Sequence, residues 1–312
     1  MTGDRSASDG AVLAPELMAR VRQIQVRTKR LVSSALAGAY RSSFRGTGIE
    51  FEDLREYQPG DDTRDIDWKV TARTGEPFVK TYVEDRQLVL MFLVDASHSM
   101  DFGSGERTKR EVAAELCALL AYVAMSQEDQ VGLCAFADEP GLHLEPRKGG
   151  SHVQRVVREV IAAPPGGTST SLAAVLAHQM RVLRRRSMIF VVSDFQVPAE
   201  DPEGDWVDAL ARLSNKHDVI AARVVDPFEE ELPSAGILAL REIESGQLIE
   251  VDTRSEAVRA SWRAAALERR AAFQDAAKRA RVDVLELSTR GSVADPLLRL
   301  FAARGGRRGG GA

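Results

Sequence analysis

Between residues 88 and 287, five short apolar runs alternate with five segments of helical period, an alternation that few folds accept. The runs are 88–94, 130–136, 187–193, 219–225 and 282–287, and the helical segments are 107–125, 152–161, 172–183, 206–216 and 255–281. Strands without a polar face must be covered on both sides, and parallel neighbours need a crossover long enough to hold a helix. The order therefore predicts a three-layer α/β fold, a mostly parallel sheet with helices on both faces. Residues 236–251 read as a hairpin, turning at Ser245-Gly246 before the last long helix.

The flanks differ in texture. Residues 1–40 read as a tail and an amphipathic helix over 15–39, with Leu17, Val21, Ile24, Leu31 and Ala35 near helical spacing. Arg20, Arg22, Arg27, Lys29 and Arg30 form its basic face, expected to be solvated while the apolar face packs on the main body. Residues 41–87 form a charged accessory segment with eleven acidic and seven basic side chains between 44 and 87. Their alternation, broken by Phe51, Tyr57 and Trp68, predicts an ion-pair network packed against the sheet. Asp61, Asp62, Arg64, Asp65, Asp67 and Arg73 are the candidates for docking a partner. The α/β domain is expected to span 88–304, followed by a flexible, glycine-rich tail at 305–312.

Charge and hydropathy narrow the partners. A net charge of −4 and a pI near 5.9 provide no overall footprint for nucleic acid. The most apolar run, 88–94, has seven residues, against the roughly 20 of a membrane helix, so no transmembrane segment is expected. Residues 1–10 lack the basic start and apolar core of a secretion signal, and Cys117 and Cys134 lie in apolar runs as buried small hydrophobes would. Together these features predict a cytoplasmic protein.

Chemistry gathers where the first apolar run ends. Asp95-Ala96-Ser97-His98-Ser99 places one carboxylate and two hydroxyls in alternate positions beyond a buried strand. Gly166-Gly167-Thr168-Ser169-Thr170 adds hydroxyls ahead of a helix, and Asp194 follows another core run. Oxygen ligands of this kind suit a small hard cation. Either Thr168 or Thr170 can serve. By strand alternation His98 should point away from the ion, and the five histidines show no metal-ligand spacing. Residues 103–109 lack the Gly-Lys-Ser/Thr ending of a phosphate loop, and no Gly-x-Ser-x-Gly elbow occurs. A metal-dependent phosphohydrolase of the haloacid dehalogenase type is the enzyme alternative, but its second aspartate is replaced here by Ser97.

Asp95-x-Ser97-x-Ser99, then Thr168, then Asp194 resembles the five-part metal-ion-dependent adhesion site of von Willebrand factor A domains. That resemblance implies Mg2+, with Mn2+ or Ca2+ as alternatives, bound by Ser97, Ser99 and Thr168 directly or through water. The aspartates would hold it largely through water, and a partner's carboxylate would complete the shell. The segment from Phe44-x-Gly46-x-Gly48 through Tyr57-x-Pro59-Gly60-Asp61-Asp62, Arg64-x-Ile66-Asp67-Trp68, Ala72-Arg73 and Val79-Lys80-x-Tyr82 resembles the signature of the bacterial domain-of-unknown-function 58 family. Members join it to an A-type domain, often accompany MoxR-type AAA+ ATPases and in many cases carry membrane helices ahead of it. The two resemblances together imply a von Willebrand factor A-like fold and a non-enzymatic protein-binding module, accessory to a MoxR-type ATPase or its client in protein or complex assembly. The alternative is a structural scaffold that docks through residues 44–85 with an inert metal site.

Overall fold

The structure, a computed structural model, describes residues 15–31, 34–43, 49–59, 61–84, 88–137, 140–164, 166, 172–196, 204–241 and 248–309. From the N-terminus come helices α1 (Pro15–Leu31) and α2 (Ser34–Ser43), strand β1 (Ile49–Glu56), helix α3 (Trp68–Thr74) and strand β2 (Phe78–Glu84). Then follow β3 (Val89–Asp95), α4 (Lys109–Ser126), β4 (Gln130–Phe136), β5 (Pro140–Arg147), α5 (Gly150–Ala162), α6 (Leu172–Val182), β6 (Met188–Ser193) and α7 (Gly204–Lys216). The chain closes with β7 (Asp218–Val225), the short α8 (Pro227–Glu230), β8 (Ile237–Arg241), β9 (Leu248–Asp252), α9 (Glu256–Ala280), β10 (Asp283–Ser288) and α10 (Ala294–Gly309). Among the described residues no helix is long and apolar enough to cross a membrane.

Six strands form the central sheet in the order β10-β7-β6-β3-β4-β5, parallel except for β5 at one edge. Counted in chain order, this is the doubly wound 3-2-1-4-5-6 arrangement, and it is von Willebrand factor A-like. The period of two in each strand divides the core between the faces. Leu90, Phe92 and Val94 of β3, with Met188, Phe190 and Val192 of β6, point into one apolar cluster shared with α1, α2, α4, α5 and α10. Met91, Leu93, Ile189 and Val191 point into the other, against α6, α7 and α9. Every residue of β3 after Val89 is buried, which is why the run reads as continuously apolar.

Several expectations need correction. The helix expected over 15–39 is two helices, both packed on α4. Val21 and Leu36 are buried, while Arg20 and Arg27 reach Glu111 and Glu115 of α4 at 3.3 and 3.7 Å, so part of the basic face is used in pairing. Strand β5 escapes periodicity because it is an edge strand with register shifts and Leu144 as its buried apolar residue. The tail expected to be flexible from 305 continues as helix to Gly309. Phe301 is buried, and Arg304 pairs with Asp218 and, at 3.3 Å, Asp283. The β8–β9 hairpin forms as expected, with Ser245-Gly246 outside the described residues.

The charged segment pairs β1 with β2 and carries α3 between them. Several of its described charges serve local ends of structure. Asp62 accepts from the Arg64 N–H, and Asp67 caps α3 by accepting from the Lys69 and Val70 N–H groups. Arg55 clasps Asp61 with two bonds of 2.6 and 2.7 Å. Asp62, Arg64, Asp65 and Arg73 are exposed, Asp61 and Asp67 are partly so, and no residue of α3 is buried.

Candidate metal centre

Strands β3 and β6 are parallel neighbours with Val94 beside Val192, so both deliver their next residues to the same rim. This is the point where strand order reverses, and open α/β sheets bind ligands in the crevice beyond the carboxyl ends there. Asp95 is 1% exposed. Its Oδ1 accepts from the Ser97 N–H at 2.8 Å and its Oδ2 from the Ser193 hydroxyl at 2.6 Å. After Ser97 the chain turns at once into a 3-10 helix over His98–Asp101. That turn, rather than strand alternation, brings the Ser97 and Ser99 Oγ atoms to 3.0 Å from each other, while His98 is exposed.

A second layer of charge lies behind this pair. The fully buried Lys109 Nζ donates to Asp194 Oδ2 and to Glu229 Oε1, each at 2.6 Å. The other Asp194 oxygen accepts from the Gln196 N–H at 3.1 Å, and the Gln196 side chain donates to Glu229 Oε1 at 3.1 Å. Glu229 is itself positioned by the capping box of α8, in which its Oε2 accepts from the Asp226 N–H at 2.9 Å. Thr108 and Glu111 form a corresponding box at the start of α4, fixing the turn from which Lys109 projects. Burial pushes the Asp95 carboxyl up to about 6, with the charge of Asp194 adding to it and the Ser193 and Ser97 donors opposing it. For Lys109 burial works against the charge, but Asp194 and Glu229 overcome it and hold the ammonium above the usual lysine range.

Thr168 and Thr170 lie outside the described residues. The chain leading to them is tied to the site, because the Gly166 N–H donates to the Ala96 carbonyl at 3.2 Å. Buried Arg110 adds a brace, donating to the Ala96 and Ala163 carbonyls at 3.2 and 3.1 Å. Of the sequence-derived set, Asp95, Ser97, Ser99 and Asp194 thus share one rim, whereas the exposed charges of residues 61–73 belong to the separate β1–β2 unit.

The donor chemistry fits a hard divalent cation. Among the described residues no three of His, Cys, Asp and Glu are grouped as metal ligands, so any such site depends on hydroxyls. Ser97 and Ser99 supply two neutral oxygens at contact distance, beside a buried carboxylate whose neighbour is also negative. Sequence reasoning missed Ser193, Lys109 and Glu229. Ser193 is within reach as the last residue of a core run, but Lys109, at the start of the helical segment 107–125, carries no sign in the sequence that its charge is buried.

The sequence model of the family described as "Protein of unknown function DUF58" matches residues 53–272. The chain is 31% identical over 302 residues to Uncharacterized protein Rv1480 of Mycobacterium tuberculosis, covering 96% of this chain and 93% of the relative. Uncharacterized protein Mb1516 of Mycobacterium bovis matches with the same identity and coverage. Among solved structures, an aerotolerance-related membrane protein from Bacteroides fragilis is similar at 18% identity and a TM-score of 0.48, over 70% of this chain and 99% of that one. The SpRpn10 VWA domain is similar at 13% identity and a TM-score of 0.40, over 68% and 94%. With the family model matching residues 53–272, and 31% identity to relatives over 96% of its length, the chain belongs to the DUF58 family.

Proposed function

We propose that this protein is a non-enzymatic binding module that recognises an acidic residue of a partner protein through a metal-ion-dependent adhesion site. The observation that carries the reading is the meeting of Asp95, Ser97, Ser99 and Asp194 at the strand-order reversal. Bound there, Mg2+, or Mn2+ or Ca2+ in its place, would supply a hard electrophilic centre for a Glu or Asp carboxylate. Ser97, Ser99 and Thr168, or Thr170 in its stead, offer neutral oxygens, which leave the ion's charge to the incoming ligand. Asp95 and Asp194 would supply the carboxylates. Ser193 and the Ser97 N–H keep Asp95 oriented, and Arg110 keeps the Ala96 turn from opening. Ser97 stands where a phosphohydrolase of the haloacid dehalogenase type needs its second carboxylate, which favours binding over turnover. Family resemblance suggests the partner: a MoxR-type AAA+ ATPase or its client, in protein or complex assembly, in the cytoplasm.

The test is binding between the purified protein and a MoxR-type ATPase from the same genome, with Mg2+ and with chelator. Loss of binding on chelation, and in a Ser97→Ala, Ser99→Ala double variant that still folds, is the expected result. Binding indifferent to both would sink the reading.

One observation favours docking through the charged segment instead. Trp68 is 68% exposed at the start of α3, within six residues in sequence of the exposed Asp62, Arg64, Asp65 and Arg73, and tryptophan and arginine are enriched among interface anchors. Charge reversal at Asp61 and Asp65 would abolish binding under that reading and leave it intact under the metal reading.

A further inference from the structure

Lys109 is the first residue of α4, yet its side chain is entirely buried between Asp194 and Glu229. A lysine at a helix N-terminus faces the positive end of the dipole and ordinarily turns to solvent, so this burial runs against two tendencies at once. Charge accounts for it. Lys109 donates to the carboxylates of Asp194 and Glu229 at once, and Asp95 stands close enough to Asp194 for their charges to interact, so the ammonium sits in a locally negative setting. Glu229 is not a loose surface group reaching in, since its second oxygen is committed to the Asp226 N–H and Gln196 also donates to its first. Lys109 is therefore held from both sides and has no exit to water.

We infer that Lys109 is a built-in counter-cation of the adhesion site, which lowers the negative charge a divalent ion meets and so holds metal affinity down while leaving the ion able to take a partner's carboxylate. The inference rests on the reading of this rim as a metal centre. A unit charge acting over a few ångströms through a partly desolvated site changes divalent affinity by about tenfold or more. Charge alone then ranks the variants. Lys109→Met binds metal more tightly than wild type, Glu229→Gln binds it more weakly, and the double variant, whose net charge equals that of wild type, falls between them. A merely structural lysine predicts the reverse for Lys109→Met, because loss of its bonds loosens Asp194.

The experiment is a Mn2+ titration of the full chain, followed by the paramagnetic resonance signal of the free ion, for wild type and the three variants. A Kd lowered about tenfold or more in Lys109→Met and raised in Glu229→Gln is the expected outcome. Unchanged or weaker binding in Lys109→Met overturns the inference. Should Lys109→Met fail to fold, the comparison of the double variant with Glu229→Gln carries the same sign, and binding in the double that is no tighter overturns it. Mn2+ binding that is equal in all four proteins defeats the counter-cation alone, whereas no binding by any of them, wild type included, defeats the metal centre and the inference with it.

Discussion

The Ser193 hydroxyl donates to the Asp95 carboxylate over 2.6 Å, joining the carboxyl ends of β6 and β3 across 98 residues of sequence. The same Oγ accepts from the Phe195 N–H at 2.9 Å, so one serine both orients the buried aspartate and closes the turn that leads away from it. Phe195 takes a left-handed backbone conformation there, with φ of 53°. Asp95 is thus oriented by protein donors on both oxygens before any ligand arrives.

Ser193→Ala should destabilise the fold by about 1–3 kcal/mol, the cost of leaving a buried acceptor with one partner fewer. Urea denaturation followed by circular dichroism measures it. A change below about 0.5 kcal/mol would mean that water or a neighbour replaces the hydroxyl freely.

Gly103→Ala should disturb the turn that launches α4. A Cβ on Gly103 would sit 2.3 Å from the Arg107 carbonyl oxygen and 2.8 Å from the Thr108 Cα, both backbone atoms that have little room to give. Arg107 is itself fixed by Glu115 and by the Thr289 and Gly291 carbonyls. A loss of about 1–3 kcal/mol in thermal or chemical denaturation is expected, as for other overpacked positions. An unaltered midpoint would show the turn to be slack.

Stability should fall with acid through His217. Burial pushes its imidazole down to about 4, with Lys216 and Arg186 adding to the shift, and its Nδ1 accepts from the Ser187 N–H at 3.2 Å, which requires the neutral ring. The unfolded chain takes up this proton near pH 6.5 and the folded protein only near 4. Its contribution is therefore complete above 6.5 and is lost as pH falls towards 4, about 2–3 kcal/mol in all. Asp95 and Asp129, both pushed up to about 6 by burial, act in the opposite sense below that pH. The difference between wild type and His217→Asn isolates the histidine. Its stability difference, measured at pH 7.5 and 5, should shrink on acidification, and a constant difference would sink the assignment.

Arg304→Met should cost about 3 kcal/mol, because it removes a buried cation that pairs with both Asp218 and Asp283. Adding Asp218→Asn and Asp283→Asn should recover part of the loss. No recovery, measured by denaturant midpoint, would assign the loss to packing of the arginine stem rather than to charge.

The sheet was legible because hydrophobic periodicity is a local property. Each run of β3, β4, β6, β7 and β10 shows its class within six to eight residues, whatever it pairs with. Strand β5 was not legible, since an edge strand with one buried leucine carries no such signal. Nor was the break between α1 and α2, where amphipathic spacing runs on across two helices that pack on the same α4.

At the candidate site the division is similar. Asp95, Ser97, Ser99 and Asp194 could be chosen from sequence, because each follows the end of an apolar run and strand ends are where a parallel sheet presents its side chains. The sequence alone also determined the alternation that makes the sheet parallel and its two faces apolar. Only the tertiary structure decided that Lys109 stands between Asp194, 85 residues away, and Glu229, 120 residues away. A lysine and two carboxylates that far apart in the chain look like ordinary solvated charges, and the desolvation that makes them a single electrostatic unit exists only once β3, β6 and β7 lie side by side.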